Sequence, residues 1–137
     1  MDVLGRFQFK FLQAKYSLQL SIFPEKSIVI NGIFKPHGLN LMNENWGDDI
    51  NIILPTLISG KTVIPYNLLF PWIKGKTLVN YMCIGSIINW LTTQNSVIWG
   101  SGAINADYPL LAKPQKVLAV RGPMTRDFLL SQGINCP

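Results

Sequence analysis

Charged residues are scarce in this sequence. Only 14% of the 137 residues are Asp, Glu, Lys or Arg, whereas 48% are hydrophobic. A chain with so few charges and so much apolar surface can bury a core, so the composition excludes an intrinsically disordered protein. Its length suits one compact domain and is short for two. We expect one folded domain with an exposed apolar surface that favours association.

Acidic residues are the rarer of the two charge types. The chain has 12 Lys and Arg against 7 Asp and Glu, which gives a net charge of +5. The cations are scattered from Arg6 to Arg126 without a block of five, and no nucleic-acid-binding motif accompanies them. We therefore expect no nucleic-acid partner. A scattered basic excess favours anionic small molecules or anionic lipid surfaces as partners.

Cysteine and histidine are almost absent. Cys83 and Cys136 lie far apart in the sequence, and His37 is the single histidine. This pattern excludes a zinc-type motif and a disulfide framework, so we expect no metal site and a reducing compartment. His37 stands in a Pro-His-Gly turn, where a surface role is favoured over a catalytic one.

Long apolar runs are also lacking. No stretch approaches the roughly 18 apolar residues of a membrane-spanning helix, and the first 26 residues contain no continuous apolar stretch of signal-peptide length. These absences predict a cytoplasmic protein. Peripheral attachment at the inner face of a membrane stays open.

What the sequence does contain is a series of short β-branched runs separated by turns. They predict strands at 27–34, with an interruption near Asn31-Gly32, and at 77–84, 96–99 and 117–120. Residues 1–26 fit either a strand or a helix, so their structure is left open. Residues 63–75 lack a clear period and are expected to form a packed loop.

Two segments have helical spacing. The first begins near Asp48, ends at Gly60 and contains Pro55, where we expect a bend or a break. The second begins at Pro123 and ends at Gly133, a C-cap glycine. Strands that alternate with helices predict an α/β fold with a doubly wound, mainly parallel sheet.

Ligands of such sheets bind outside the carboxyl ends of the strands, so the residues that follow the strands are the candidates for a site. Asp48 is either a helix-capping carboxylate or a base towards a sugar hydroxyl. Arg121 is either a surface arginine or a bidentate ligand of carboxylate or phosphate at a helix start. Trp46 and Trp99 are candidates for stacking on a sugar, although packing is the more common role. The turn at Gly100 lacks the third glycine of a dinucleotide fingerprint.

Four motifs in order resemble the polysaccharide pyruvyltransferase family. They are Asn45-Trp46-Gly47-Asp48-Asp49-Ile50-Asn51, Ile84-Gly85-Ser86-Ile87, Trp99-Gly100-Ser101-Gly102 and Val120-Arg121-Gly122-Pro123-Met124-Thr125-Arg126. The resemblance implies a partial family domain at 27–137, preceded by an N-terminal extension at 1–26. It further implies a fold like the N-terminal domain of a GT-B glycosyltransferase, with the family's second domain missing and the chain inactive alone.

The resemblance also implies a function and a set of site residues. Family members transfer the pyruvyl group of phosphoenolpyruvate to a sugar as a ketal, in exopolysaccharide or cell-envelope glycan synthesis. The expected partners are phosphoenolpyruvate, with no further cofactor, and a glycan or lipid-linked sugar acceptor. Self-association through the face left by the second domain is also expected. The catalytic residues implied are Asp48 and Arg121, and the substrate-binding residues implied are Asn45, Gly47, Gly85, Ser86, Gly100, Ser101, Gly102, Gly122, Thr125 and Arg126.

Two other functions stay open at this point. The chain could be a non-catalytic interaction domain that pairs with a separately encoded second half. It could also be a nucleotide-binding α/β domain, although such a domain normally carries a complete phosphate loop.

Overall fold

The computed structural model describes residues 3–37, 40–41, 46–75 and 77–137. Asn45 lies outside these residues. In the described part of the chain, helices and strands follow one another in this order: α1 (Val3–Ile22), β1 (Ser27–Ile30), β2 (Pro36–His37), β3 (Asn40–Leu41), α2 (Trp46–Ser59), β4 (Thr62–Pro65), β5 (Asn80–Met82), α3 (Ile88–Leu91), β6 (Ser96–Trp99), β7 (Lys116–Ala119) and α4 (Pro123–Ser131).

Five strands form one sheet in the order β4-β1-β5-β6-β7. Every neighbouring pair in this sheet is parallel. The chain first moves outward from β1 to β4, then crosses back over β1 to β5 and continues in that direction. The direction of winding therefore reverses between β1 and β5. Such a switch point leaves a crevice at the carboxyl ends of the two strands, because their following segments turn away from each other.

Helices cover both faces of the sheet. Val29 of β1 packs with Leu12 and Tyr16 of α1, whereas the next residue, Ile30, packs with Ile52 of α2. Successive strand residues point to opposite faces, so α1 and α2 lie on opposite sides. The side chains of Met82, Ile98 and Val117 form a further cluster with α3 and α4. The predicted α/β fold with a mainly parallel sheet is confirmed.

The segment 1–26, whose structure the sequence left open, contains helix α1. One side of this helix is buried at Leu12, Gln13, Tyr16 and Ser17. The Ser17 hydroxyl accepts a hydrogen bond from the Phe70 N–H at 3.1 Å, which ties the helix to the segment after β4. None of the helices in the described ranges is long and apolar enough to cross a membrane.

Of the bend or break expected at Pro55, the break does not occur. Helix α2 continues through Pro55 to Ser59, and Gly60 ends it with a left-handed φ of 66°. Proline removes one hydrogen bond of the helix ladder, and here the buried contacts of Pro55 and Asn51 hold the helix against the sheet.

The prediction of a loop at 63–75 is wrong at its beginning. Residues Thr62–Pro65 form β4, which pairs with β1 along its whole length. Pro65 is tolerated because it is the last residue of an edge strand. The strand predicted at 77–84 is shorter than expected, since only residues 80–82 are paired in the sheet. Helix α4 matches its prediction, and Gly133 follows it with a φ of 70°.

The first prediction concerns the packing of α1. Replacing Leu12 with alanine removes a fully buried side chain from the cluster between α1 and the sheet. We expect the free energy of unfolding to fall by about 2–5 kcal/mol. Leu18→Ala, on the exposed side of the same helix, serves as the control and should change it by less than about 0.5 kcal/mol. If urea titrations give the same loss of free energy of unfolding for Leu12→Ala and Leu18→Ala, α1 does not pack as described.

Candidate functional site

A hollow of about 400 Å³ lies at the switch point of the sheet. Its walls come from the segment after β1, the first turn of α2, the segment after β5, α3, and the residues that follow β6 and β7. The lining residues are Ile33, Gly47, Asp48, Ile84, Gly85, Ser86, Ile87, Trp90, Ile104 and Arg121. Five of the sequence-predicted site residues therefore line one hollow, although they come from three separate motifs.

Arg121 supplies the positive charge of this hollow. Its Nη1 atom donates a hydrogen bond to the Ser86 hydroxyl at 2.5 Å. The side chain of Arg121 passes directly over Gly102, where an added Cβ would lie 2.9 Å from the arginine Nε. Glycine at this position therefore leaves room for the arginine to reach across to Ser86. The guanidinium group is exposed and can form a bidentate pair with a carboxylate or phosphate.

Asp48 and Gly47 bring the beginning of α2 to the opposite wall. Both are partly buried residues of the first helical turn. The dipole of a helix N-terminus favours bound anions, so this wall adds to the attraction exerted by Arg121. Among the described residues that line the hollow, Asp48 contributes the one carboxylate. A carboxylate and a guanidinium in the same hollow can act on a hydroxyl and on an anion, respectively.

The glycine turns hold the segments after β5, β6 and β7 together. Gly102 N–H donates to the Gly85 carbonyl at 2.8 Å, and Gly100 N–H donates to the Ala119 carbonyl at 2.9 Å. Gly100 has a φ of 115°, and a Cβ there would meet the Cys83 carbonyl oxygen at 2.6 Å. Gly100 and Gly102 are thus required for the close approach of these segments, and they lie behind the wall of the hollow.

Thr125, Ser101 and Gly122 lie outside the lining of the hollow. The Thr125 hydroxyl accepts a hydrogen bond from the Ala103 N–H at 3.1 Å, which fixes the beginning of α4. Ser101 is fully buried, and its hydroxyl has no hydrogen-bond partner among the residues that the structure describes. Gly122 is extended, with a φ of 178°. Thr125 and Ser101 therefore support the site from behind the hollow and do not line it.

Arg126 also lies outside the lining of the hollow. Burial raises the pKa of the Cys136 thiol, and the positive charge of the nearby Arg126 guanidinium opposes part of this rise. The structure therefore separates the two arginines that the sequence grouped together. Arg121 faces the hollow, and Arg126 is an exposed residue of α4 near the end of the chain.

Asn51 is a residue of the site that sequence reasoning assigned no role. Its side chain is fully buried and spans from α2 to the segment after β5. The amide oxygen accepts a hydrogen bond from the Ile84 N–H at 3.1 Å, and the amide nitrogen donates to the Ile84 carbonyl at 3.4 Å. This pairing replaces the strand neighbour that Ile84 lacks, and it positions Gly85 and Ser86 beside Asp48. The signal available in the sequence was the position of Asn51, which lies three residues after Asp48 and on the buried side of α2.

The aromatic residues are arranged differently from the sequence-based hypothesis. Trp90 of α3 lines the hollow and is about half exposed, so it offers a flat face to a ligand. Trp46 is exposed outside the lining, and Trp99 faces the other side of the sheet. The hypothesis missed Trp90 because it considered tryptophans next to the motifs in sequence rather than on the helix that follows β5.

A larger groove of about 570 Å³ lies on the side of the sheet that α2 only partly covers. Most of its lining is apolar, including Pro55, Ile58, Trp99 and Leu118. Cys83 also borders it, and burial raises the pKa of this thiol to about 11, so it is neutral and weakly nucleophilic near neutral pH. Trp99, a candidate for stacking, borders this groove, but Asp48 and Arg121 line the hollow instead, so the size of the groove does not make it the candidate for chemistry.

The second prediction tests the close packing behind the hollow. Gly100→Ala places a Cβ against the Cys83 carbonyl in a left-handed conformation that alanine rarely adopts. We expect a loss of at least about 2 kcal/mol in the free energy of unfolding. Gly122→Ala is the matched control, because a Cβ there meets nothing within 4 Å. A Gly100→Ala protein as stable as this control in urea titrations would contradict the described turn.

No protein-family model, curated protein or solved structure matches the chain. The function is therefore inferred from the geometry of the hollow and from the motifs that line it.

Proposed function

We propose that this chain forms part of a polysaccharide pyruvyltransferase and that the hollow at the switch point binds phosphoenolpyruvate beside a sugar acceptor. One observation carries the proposal. Asp48, Ser86 and Arg121 come from three of the four motifs that resemble this family, and all three line the same hollow. A ligand at the switch point is also what the topology of a doubly wound sheet favours.

The proposed reaction forms a cyclic ketal from an enol phosphate. The methylene carbon of phosphoenolpyruvate gains a proton, and the oxygen of one sugar hydroxyl bonds to the central carbon while that hydroxyl loses its proton to a base. The bond from that carbon to the phosphate oxygen then breaks, and inorganic phosphate leaves with the bonding electrons as a second sugar hydroxyl bonds to the same carbon and loses its proton. The reaction requires a base, an acid and positive charge for two anionic groups.

The lining residues supply several of these requirements. Arg121, oriented by Ser86, would hold the carboxylate or the phosphate of the donor. The beginning of α2 would add the attraction of its N–H groups. Asp48 would accept the proton of a sugar hydroxyl, and the exposed side of Trp90 would pack against the sugar ring.

The acid that protonates the methylene carbon is assigned outside the described hollow. The family resemblance implies a second domain that contributes an arginine- and histidine-bearing segment to the donor site. We propose that this domain closes the hollow and supplies the acid. On this account the present chain binds the donor by itself, and transfer requires both domains.

The apolar groove supports a second candidate function. A non-catalytic interaction domain needs an exposed apolar surface, and the groove, with Ile58, Trp99 and Leu118 in its lining, provides one. This candidate requires no anion in the hollow. The nucleotide-binding alternative has less support, because no helix begins in residues 100–115 after the glycine turn of β6.

The third prediction is that phosphoenolpyruvate binds to the chain and that Arg121 is required. Isothermal titration calorimetry should show saturable binding that Arg121→Ala weakens about tenfold or more, since hydrogen bonds to charged groups contribute about 1.5–3 kcal/mol. The matched control is Arg6→Ala, which removes the same charge from α1, away from the hollow. It should leave the affinity within about twofold, because exposed charges at long range are screened.

Two outcomes would count against the proposal. Equal weakening in both variants would mean that net charge rather than the hollow attracts the ligand. An absence of binding in a chain whose far-ultraviolet circular dichroism shows it folded would favour the interaction-domain candidate.

A further inference from the structure

Helix α1 has two apolar sides, and only one of them contributes to the core. Leu12 and Tyr16 on the inner side pack against the sheet. Seen along the helix, with 100° between residues, a second set of apolar residues lies on the opposite side. The members of this outer stripe are Val3, Leu4, Phe7, Phe11, Leu18 and Ile22.

The residues of the outer stripe are strongly exposed. Val3 is 87% exposed, Phe7 68% and Leu18 61%, whereas Leu12 on the inner side is 0% exposed. A single exposed leucine on a protein surface requires no explanation, but six large apolar side chains in one continuous stripe form a patch that favours a partner. The packing of the inner side also prevents the helix from rotating to bury this stripe.

The charges of α1 indicate what kind of partner fits. Its twenty residues contain three cations, Arg6, Lys10 and Lys15, and no acidic residue. At helical spacing Lys10 lies along one edge of the outer stripe, with Arg6 about 40° further away from the stripe, and Lys15 lies along the other edge. Lys26 adds another exposed cation soon after the end of the helix. An apolar stripe bordered by cations on both edges is typical of helices that lie in the interface of an anionic bilayer.

We propose that α1 attaches the protein to anionic lipid surfaces, with the outer stripe inserted at the boundary between headgroups and acyl chains. Phe7 and Phe11 would enter the acyl boundary, while the neighbouring cations would contact lipid phosphates. Long basic side chains reach the headgroups while their methylene stems stay in the apolar layer. The proposal is independent of the reaction proposed for the hollow.

A second copy of the chain fits this surface less well. Two outer stripes packed against each other would place the cations of both copies, Arg6, Lys10 and Lys15, along the same interface. No carboxylate in α1 offsets that repulsion. Anionic headgroups match the charge and also accept the apolar side chains, so the charge pattern selects the lipid surface over self-association.

The fourth prediction is tested by flotation of the full 137-residue chain with two kinds of vesicle. One kind contains phosphatidylcholine alone, and the other contains phosphatidylcholine with about one third phosphatidylglycerol. We expect binding to the anionic vesicles to be at least about tenfold stronger and to weaken as salt is added.

Two pairs of variants separate the stripe from general stickiness and from net charge. The double variant Phe7→Ser and Phe11→Ser should lower binding by at least about tenfold, since it removes two apolar groups from the membrane contact. Its matched control is Ile53→Ser with Leu57→Ser, two exposed residues of α2. Arg6→Glu with Lys10→Glu should lower binding by at least about tenfold, whereas Lys113→Glu with Lys116→Glu, which gives the same net charge, should lower it by less than about threefold.

Each remaining outcome would overturn the proposal. If the α1 variants and their controls lose vesicle binding to the same extent, the protein binds vesicles without a specific site on α1. Equal binding of the unaltered chain to both kinds of vesicle, or no binding by a chain with unchanged thermal unfolding, would exclude an anionic-lipid site. A dimer in light scattering that dissociates in the Phe7 and Phe11 variant would assign the stripe to self-association instead.

Discussion

The buried amide of Asn51 links α2 to the segment after β5, and the candidate site depends on this contact. Parallel strands separate at a switch point, so backbone groups just beyond them lose their neighbours in the sheet. Ile84 is in this position, and Asn51 satisfies both its N–H and its carbonyl group. Leaving these groups unpaired in the interior would cost about 1–3 kcal/mol for each. The same contact brings the first turn of α2, and with it Asp48, to the edge of the hollow.

Other buried amides perform similar tasks around the switch point. Asn31 follows β1 and donates to the Asn80 side chain at 3.2 Å and to the Leu91 carbonyl at 2.6 Å. Asn80 in turn accepts a hydrogen bond from the Ser96 hydroxyl at 2.8 Å. These contacts connect β1, β5 and β6 where β1 and β5 share a short register. A sheet with strands of three or four residues is thus held in register partly by side chains, which supports the walls of the hollow.

The sequence predicted the elements with strong local signals and missed those that depend on tertiary contacts. Residues 96–99 and the helix from Pro123 to its C-cap at Gly133 have clear patterns, and the structure contains both. Strand β4 was missed because four residues that end in proline have no period of their own and become a strand only by pairing with β1. The helix of α1 was ambiguous because apolar residues on its outer side obscured the period of its buried side. Trp90 was missed for a related reason, since its proximity to the hollow follows from the strand order rather than from any motif. Asn51 belongs to the first motif, but its contact with Ile84 depends on how α2 packs beside the segment after β5.

The most direct test of the central claim is to locate bound phosphoenolpyruvate on the chain by two-dimensional amide NMR of the isotope-labelled protein. The account predicts that the largest shift changes occur at Gly85, Ser86 and Arg121, with Gly47 and Asp48 on the opposite wall also affected. It predicts little change at Tyr81 and Leu118, which border the larger apolar groove. Shift changes that cluster around that groove, or none at saturating ligand, would contradict the assignment of the hollow at the switch point as the donor site.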